Sequence, residues 1–163
     1  MELILVRGLP GSGKSTIAKL LSTAMSAKHL EADRYFETPN GYIFDASKLK
    51  EAHQWCYDAC ASYISTGKDV IVSNTFTTKQ EMQQYLNLAT KWKAKVTIVD
   101  MHNNFGSIHN VPAVNIKAML IRWEHTRDIV CPNYFAQLDT IAAVENRKLV
   151  KTNEHMETPE EHY

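Results

Sequence analysis

One short stretch of this sequence indicates the class of fold: Gly8-Leu9-Pro10-Gly11-Ser12-Gly13-Lys14-Ser15. It matches the phosphate-binding pattern G-x-x-x-x-G-K-[ST] at every fixed position. An apolar strand, Leu3 to Val6, precedes it, and an amphipathic helix from about Ser15 to Met25 follows. Small residues let successive backbone N–H groups converge on phosphate oxygens, and the helix N-terminus adds partial positive charge. The stretch therefore predicts a site for a nucleoside triphosphate.

The pattern also predicts individual roles within this loop. Lys14 reaches the β- and γ-phosphates, and the Ser15 hydroxyl binds Mg²⁺. The guanine-reading sequence N-K-x-D is absent, which favours ATP. The loop does not separate a kinase from an ATPase or a GTPase. The predicted nucleotide-binding residues are Gly8, Leu9, Pro10, Gly11, Ser12, Gly13, Lys14, Ser15 and Thr16.

Composition excludes several other classes of protein. The 163 residues include 18 Lys and Arg and 18 Asp and Glu, so a generally basic nucleic-acid binder is excluded, although a local basic groove is not. No apolar run is long enough to span a membrane. The N-terminus is predicted to be a buried strand, not a signal peptide. Three scattered cysteines argue against a disulfide framework and indicate a reducing, cytoplasmic location.

Apolar runs of strand length alternate with helical patterns along the chain, which is typical of a parallel α/β protein. We expect a three-layer P-loop NTPase fold with four to five parallel strands, flanking helices and a lid loop near 101–113. The predicted strands after the first are 29–32, 70–72 and 96–99. The predicted later helices are 47–65, 78–92, 114–125 and 133–147, and Thr38-Pro39-Asn40-Gly41 is a predicted turn.

The domain organisation follows from charge near the end of the chain. Residues 1–150 are predicted to form the P-loop domain, and residues 151–163 an acidic tail. The tail holds one Lys and four Glu, for a net charge of −3, which leaves +3 on the remainder. We expect a solvated, mobile tail. Folding of the tail over a basic cleft, with inhibition, is the alternative.

Polar residues follow the predicted strands at the sheet edge where ligands of α/β proteins bind. Asp33-Arg34 follows the second strand, Ser73-Asn74-Thr75 ends the third, and Asp100 ends the fourth. A carboxylate at position 33 is placed to take a proton from an acceptor hydroxyl, to align it, or to help hold Mg²⁺. A helix N-cap or an ion pair with Arg34 is the structural alternative.

Several segments together resemble the polynucleotide-kinase-like P-loop kinases, which include the phage-type 5′-hydroxyl polynucleotide kinase domain and small AAA and zeta-toxin-like relatives. The resemblance covers roughly residues 2–125 and is carried by RGLPGSGKST, EADRYF, YIFDASKLKEAHQWC, VIVSNT and VP…IKAMLIRWEH.

This resemblance implies roles for the residues at the strand ends. Asp33 would be the general base toward the acceptor, and residues 8–16 would bind ATP and Mg²⁺. Arg34 would contact an acceptor phosphate or pair with a nearby acid. Asn74 and Thr75 would bind the acceptor. That acceptor would be a polynucleotide 5′-hydroxyl such as a single-stranded end, while a nucleoside or another small alcohol stays open.

The predicted lid departs from the family. Relatives carry arginines there that clamp the transferring phosphate, whereas residues 102–110, HNNFGSIHN, contain neither Arg nor Lys. A missing clamp costs about 10³-fold or more in rate by analogy with arginine fingers. Arg122, Arg127 or Lys117 is a candidate substitute, and we assign this catalytic role to Arg122. A second subunit of a homo-oligomer is another source. The remaining alternative is a nucleotide-binding regulatory protein with little turnover.

Three further features have two interpretations each. Phe76 stacks on a base or packs against the helix that Thr78 caps, and we favour packing. Cys56 and Cys60, one helical turn apart, are predicted to be core residues in preference to metal or redox ligands. The aromatic cluster after Asp33 lines the acceptor groove or covers the sheet edge; its members are Tyr35, Phe36, Tyr42 and Phe44.

Overall fold

The computed structural model describes residues 1–106 and 111–126, which belong to one compact unit ending at Thr126. Short 3-10 helices span Ala32–Phe36 and Ala46–Lys48. The strands and α-helices in chain order are β1 (Glu2–Gly8), α1 (Lys14–Met25), β2 (Lys28–Leu30), β3 (Glu37–Thr38), β4 (Gly41–Tyr42), α2 (Leu49–Ser65), β5 (Val70–Asn74), α3 (Lys79–Trp92), β6 (Lys95–Met101) and α4 (Ala113–Ile121).

The main sheet has four parallel strands in the order β2-β5-β1-β6. Parallel strands need crossover connections, and the chain supplies helices for them. Strand β1 lies between β5 and β6, so the loop that follows β1 emerges at the centre of the carboxyl edge. The structure thus confirms the predicted α/β fold with a four-stranded parallel sheet flanked by helices.

Alternation along the strands gives the sheet two buried faces. Ile4 and Val6 pack with Ala18 of α1 and with Ile71 of β5 on one face. On the other face, the Asn74 side chain donates a hydrogen bond to Cys56 of α2. Because successive side chains of a strand point to opposite faces, each strand's odd and even positions meet different helices. The same alternation determines which side chains at the strand ends lie on the face of the phosphate loop.

The element boundaries differ from the sequence-based expectations in ways that move two aspartates. Strand β2 ends at Leu30, so Asp33 lies in the following 3-10 helix and not directly at the strand end. Strand β6 extends to Met101 and includes Asp100 because it pairs with β1 along all seven of its residues. Helix α4 ends at Ile121, four residues before the predicted end.

Other predictions are confirmed or lie outside the described residues. Thr38 to Gly41 forms the turn of the β3–β4 hairpin. Thr78 is the N-cap of α3, and its hydroxyl accepts a hydrogen bond from the Glu81 N–H. The predicted helix 133–147, Arg127, the acidic tail 151–163 and the proposed domain boundary at 150 lie outside the described residues. Among the described helices, none combines the length and apolarity that crossing a bilayer requires.

Candidate functional site

The loop between β1 and α1 is shaped to hold phosphate. Gly11 and Gly13 have φ values of 80° and 86°, a conformation that favours glycine. A Cβ on Gly8 would collide with the Ser12 hydroxyl and lie 2.6 Å from the Met101 carbonyl oxygen. The Ser12 hydroxyl is buried and has no hydrogen-bond partner among the described residues. A close backbone curve and an unpartnered buried polar atom fit a loop that wraps phosphate oxygens.

Lys14 supplies the positive charge of this loop. Its Nζ donates a hydrogen bond to the Leu9 carbonyl oxygen at 3.0 Å. Burial lowers the pKa of Lys14, while the negative charges of Asp33 and Glu31 oppose that shift. Both carboxylates therefore lie near the ammonium group that would meet the β- and γ-phosphates. The predicted placement of Asp33 opposite the γ-phosphate stays a prediction.

Asp33 is the exposed carboxylate of the site. No hydrogen bond or ion pair engages its side chain within residues 1–106 and 111–126, and it is not the N-cap of its 3-10 helix, which is Glu31. The helix is held in place because Asn74 Oδ1 accepts a hydrogen bond from the Ala32 N–H at 2.9 Å. Asp33 is thus held by its backbone while its carboxylate stays available to solvent or a ligand.

Arg34 turns away from Asp33 and toward the preceding strand. Its Nη1 donates to the His29 carbonyl oxygen at 3.3 Å, and its Nη2 lies 3.2 Å from His29 Nδ1. Its Nε is 3.9 Å from Glu31 Oε2. The alternative in which Arg34 pairs with a neighbouring acid therefore describes this structure, and its predicted contact with an acceptor phosphate stays a prediction.

Glu31 is a residue that sequence reasoning missed, and it is the most firmly held acid of the site. Ser73 Oγ donates to Glu31 Oε1, and His29 Nε2 lies 3.3 Å from the same oxygen. Burial alone would raise the pKa of Glu31, but hydrogen bonds from His29, Ser15 and Ser73 outweigh it and lower the pKa to about 2. Glu31 is therefore ionised, and the Ser15 hydroxyl predicted to bind Mg²⁺ is near enough to contribute to its low pKa.

The proton arrangement of His29 follows from its neighbours. Arginine nitrogens only donate, so His29 Nδ1 must accept from Arg34. The remaining ring proton then sits on Nε2, where it is shared between Ser73 Oγ at 2.8 Å and Glu31 Oε1. In this tautomer Nε2 of His29 is the donor that faces the Glu31 carboxylate.

Strand register explains why Ser73, and not Asn74, faces the phosphate loop. Ser73 aligns with Val6, whose side chain packs toward α1. Its neighbour Asn74 points to the opposite face, where it contacts Cys56. Period-two alternation carried from Val6 across to β5 was a usable signal, but it required the register between strands that are about 65 residues apart.

The other predicted acceptor residues support the site through the backbone. Asn74 is buried, and both ends of its amide are engaged by Ala32 and Cys56. The Thr75 carbonyl oxygen accepts a hydrogen bond from the Gly8 N–H at 3.3 Å. Binding of the acceptor by Asn74 and Thr75 stays a prediction, whereas their tethering of the 3-10 helix and the loop is observed.

The cation predicted to replace the lid arginines makes its contact elsewhere. Arg122 Nε donates to Thr77 Oγ1 at 2.8 Å. No hydrogen bond or ion pair joins Arg122 to residues 8–16 in the described part of the chain. The residues after α4 are anchored in the same area, because the Glu124 N–H donates to the Thr77 carbonyl oxygen at 2.9 Å. The catalytic role of Arg122 stays a prediction.

Arg7 is a fully buried cation that sequence reasoning also missed. It donates to the carbonyl oxygens of Glu124, at 2.9 Å, and Thr77, at 3.3 Å. Its guanidinium carbon lies 3.9 Å from the ring centre of Trp123, and its Nε is 3.6 Å from Asp100. Arg7 therefore fastens the segment after α4 to the sheet edge beside the loop.

The described part of the predicted lid touches the loop. The Phe105 N–H donates to the Gly11 carbonyl oxygen at 2.8 Å, and the Phe105 ring would meet a Cβ on Gly13 at 3.2 Å. The ring is 75% exposed. Residues 107–110, including His109, lie outside the described residues.

The aromatic residues after Asp33 divide between core and surface. Phe36 is 3% exposed and packs edge-on or tilted against Tyr35, Tyr42 and Phe44, which lie outside it. Burial raises the pKa of Tyr42, and the charge of Asp33 adds to the shift. Phe36 is thus the buried member of the cluster, Tyr42 lies near enough to Asp33 to feel its charge, and Phe44 is exposed and in contact with the Phe36 ring.

Two remaining sequence interpretations agree with packing roles. Phe76 is 2% exposed, and its ring lies 5.5 Å from that of Tyr85 in α3. Cys56 and Cys60 are buried free thiols in the core. Within the described residues, no three His, Cys, Asp or Glu side chains are grouped to hold a metal ion. A metal at this loop would therefore depend on Ser15, one nearby carboxylate, phosphate and water.

Comparison with known proteins identifies the family of this chain. The family model for the AAA domain matches residues 3–103, and the chain belongs to this family. The chain is 40% identical over 98 residues to the human (Homo sapiens) NEDD4-binding protein 2, a stretch that covers 59% of this chain and 6% of that protein. The chain thus spans a small part of that relative's length.

Solved structures share the fold at low sequence identity. A gluconokinase from Sinorhizobium meliloti 1021 is 20% identical, with a TM-score of 0.56, over 79% of this chain and 78% of that one. Kti12 from Chaetomium thermophilum, solved in complex with ADP-AlF3, is 17% identical, with a TM-score of 0.55, over 78% and 83%. A chain of the Pnkp1/Rnl/Hen1 RNA repair complex is 16% identical, with a TM-score of 0.50, over 72% and 36%. The chain has the fold of P-loop kinases.

Proposed function

We propose that this member of the AAA domain family is an ATP-dependent kinase that transfers the γ-phosphate of ATP to a hydroxyl group. The proposed acceptor is a polynucleotide 5′-hydroxyl, such as the end of a single-stranded nucleic acid. A nucleoside-like small molecule is the alternative acceptor of the same chemistry. The observation that carries the proposal is an exposed, unpaired Asp33 whose charge reaches Lys14 of the phosphate loop.

The roles of the residues follow from their chemistry. ATP and Mg²⁺, when bound, supply the phosphoryl group and neutralise its charge. Residues 8–16 bind the phosphates through backbone N–H groups, with Lys14 leaving the Leu9 carbonyl for a phosphate oxygen. Ser15 holds the metal ion. Asp33 accepts the acceptor's hydroxyl proton.

The transfer itself balances with these groups alone. The acceptor oxygen forms a bond to the γ-phosphorus, and the bond from that phosphorus to the bridging β-phosphate oxygen breaks. The acceptor's proton goes to the Asp33 carboxylate, and ADP leaves. We assign to Arg122 the positive charge that would stabilise the transferring phosphate in place of the lid arginines. Its Nε donates to Thr77, and its terminal nitrogens pair with no described residue.

Aromatic side chains next to Asp33 support an acceptor that carries a base. Tyr42 is 38% exposed and Phe44 is 54% exposed, and both pack on the buried Phe36. Stacking of a nucleobase on an aromatic ring contributes about 1–3 kcal/mol and tolerates any base. The zero net charge of the chain gives a long nucleic-acid tract no support, so recognition of a terminal nucleotide fits better.

The test is transfer of labelled phosphate from γ-labelled ATP to a panel of acceptors. The panel contains 5′-hydroxyl DNA and RNA oligonucleotides, nucleosides and small sugars. We expect labelling of an oligonucleotide or nucleoside, lost in Lys14→Ala because the β- and γ-phosphates lose their cation. Thermal unfolding of Lys14→Ala checks that the variant is folded.

A nucleotide-binding regulatory protein with little turnover is the second candidate. This candidate is supported by the contacts of the arginines that could clamp the phosphate. Arg34 engages His29 and Glu31, and Arg122 engages Thr77. ATP binding with no acceptor labelled across the panel would overturn the kinase proposal in its favour.

A second subunit is the remaining source of a clamping cation. We expect a second subunit to supply this cation if the specific rate of phosphate transfer rises with protein concentration. Sedimentation of the chain with and without ATP measures that association. A reducing, cytoplasmic location is part of the proposal, on the ground that Cys56 and Cys60 are free thiols.

A further inference from the structure

We propose that Glu31 is the carboxylate that holds the metal ion of this site together with Ser15. This inference rests on the proposed binding of a metal–nucleotide complex, but not on phosphate transfer. It assigns separate tasks to the two acids after β2: Glu31 serves the metal and Asp33 serves the acceptor.

Of the two strands that neighbour β1, β5 offers no acid for this task, and the Asp100 carboxylate of β6 accepts a hydrogen bond from Thr126 and lies 3.6 Å from Arg7 Nε. In P-loop proteins a strand-end aspartate commonly joins the loop serine or threonine at Mg²⁺. Strand β5 ends instead in Ser73 and Asn74, which are neutral, and Asn74 faces α2. A hard cation that prefers oxygen ligands must then find its carboxylate elsewhere.

Glu31 has the contacts that this task requires. Its Oε1 accepts a hydrogen bond from Ser73 Oγ, and the Ser15 hydroxyl, which the loop pattern assigns to Mg²⁺, is close enough to help lower the pKa of Glu31. Its side chain is 15% exposed, which leaves it open to the site but shielded from bulk water. Asp33 lacks such a contact with Ser15 and is exposed.

Neighbouring strands hold the carboxylate in place. Oε1 accepts a hydrogen bond from Ser73 Oγ and lies 3.3 Å from His29 Nε2. Arg34 fixes the proton of that ring from the other side. Donors that orient a metal-binding carboxylate in this way restrict it to one geometry. The network is hard to explain as a capping interaction, because Glu31 makes no side-chain cap bond to its own 3-10 helix.

The experiment measures metal-dependent nucleotide binding in the absence of any acceptor. Affinities for ADP alone and for ADP with Mn²⁺ are measured by calorimetry, and Mn²⁺ occupancy by electron paramagnetic resonance. For Glu31→Gln we expect about 10–100-fold weaker binding of Mn²⁺ in the ADP complex, with the affinity for metal-free ADP unchanged. Asp58→Asn, which removes the charge of an exposed acid of α2 that contacts Gln54, is the matched control, and both of its affinities are expected to equal those of the unaltered protein.

Two outcomes overturn the inference. In the first, Glu31→Gln binds Mn²⁺–ADP as tightly as the unaltered chain. In the second, it loses affinity for ADP equally with and without metal, which identifies Glu31 as a structural support of Ser15. Glu31→Asp covers the case in which the Gln variant does not fold. It keeps the charge but shortens the reach to Ser15, so the same selective loss of Mn²⁺ affinity is expected and its absence overturns the inference.

Failure of this inference and failure of the kinase proposal are distinguishable. The binding assay contains no acceptor, so a chain that never transfers phosphate still reports on Glu31. Conversely, transfer that survives in Glu31→Gln with unchanged Mn²⁺ affinity removes the metal role and leaves the kinase standing.

Discussion

Asp33 and Asp100 stand at the same edge of the sheet on opposite sides of β1, and their surroundings differ. Asp33 follows β2 and has no partner among the described residues. Asp100 lies within β6, where its Oδ2 accepts a hydrogen bond from Thr126 at 3.0 Å and its Oδ1 is 3.6 Å from Arg7 Nε. The two residues have the same side chain and similar positions in the topology.

These surroundings indicate on which side of β1 a carboxylate is free to meet a ligand. On the β6 side, Arg7 donates to main-chain oxygens and packs on the Trp123 indole, so this side fastens the segment after α4, although Arg7 Nε and Asp100 Oδ1 have no hydrogen-bond partner among the described residues. On the β2 side, Glu31 is held by neighbours while Asp33 is left open beside Lys14. The β6 side therefore contributes to stability, whereas the exposed carboxylate of Asp33 is available to a ligand.

The largest expected effect separates the two aspartates by activity. Asp33→Asn is expected to lower phosphate transfer by about 10²–10⁴-fold, because the amide cannot take the acceptor's proton. ATP binding and the unfolding temperature should stay unchanged. Asp100→Asn is the matched control and should retain transfer. Equal rates in the two variants would contradict the assignment.

Removal of the buried arginine tests the β6 side. Arg7→Met keeps much of the side chain's length but loses the bonds to Glu124 and Thr77, and the contact with Trp123. We expect a loss of about 1.5–3 kcal/mol in the free energy of unfolding, because these are hydrogen bonds from a charged donor. Urea unfolding followed by Trp fluorescence measures it. An unchanged midpoint would mean that the β6 side contributes no stability.

Asp100→Asn is expected to have a smaller effect on stability. Its amide oxygen can still accept from Thr126, so the variant loses mainly the charge next to Arg7. We expect a loss of about 1 kcal/mol, measured in the same urea titration. A loss as large as that of Arg7→Met would instead identify the ion pair as the dominant contact of this side.

The smallest expected effect concerns the reactivity of two buried thiols, Cys56 and Cys60, on the side of the sheet edge where Asp33 lies. Asn74, which positions the Asp33 turn, also contacts Cys56. Burial raises the pKa of the Cys56 thiol and raises that of Cys60 to about 12. Because these pKa values lie above pH 8, both thiols should be protonated there and unreactive toward a disulfide reagent.

The measurement uses a Cys131→Ser background, so that only these two thiols can react. We expect no fast labelling of the native protein at pH 8 and two labelled thiols in guanidinium. Rapid labelling of Cys56 in the native protein would show that the layer beneath Asp33 opens in solution.

The sequence predicted the parts of the site that lie close together along the chain. The loop pattern gives residues 8–15, and the strand–loop–helix context follows from local apolar periodicity. Asp33 was found because an acid follows a short apolar run, although the strand ended two residues earlier than expected. Such features depend on neighbours within a few residues, which composition and periodicity report directly.

The sequence did not predict the contacts that join separate strands. Glu31 meets Ser73 over 42 residues, and Arg7 meets Glu124 over 117 residues. Whether Ser73 or Asn74 faces the loop depends on a one-residue choice of register, which reverses every side chain of a strand. A buried arginine just before the loop likewise appeared in the sequence only as one more cation.

The phosphate-loop pattern between a strand and a helix could be recognised in the sequence alone, because backbone shape there depends on consecutive small residues. Only the tertiary structure decided which acids serve that loop. Parallel pairing of β2, β5, β1 and β6 brings Glu31 near Ser15 and leaves the Asp33 carboxylate without a partner among the described residues. Asp100 instead lies next to Arg7 and accepts a hydrogen bond from Thr126. Charges act through space over a few ångströms, so their partners are set by how the strands align and not by their order along the chain.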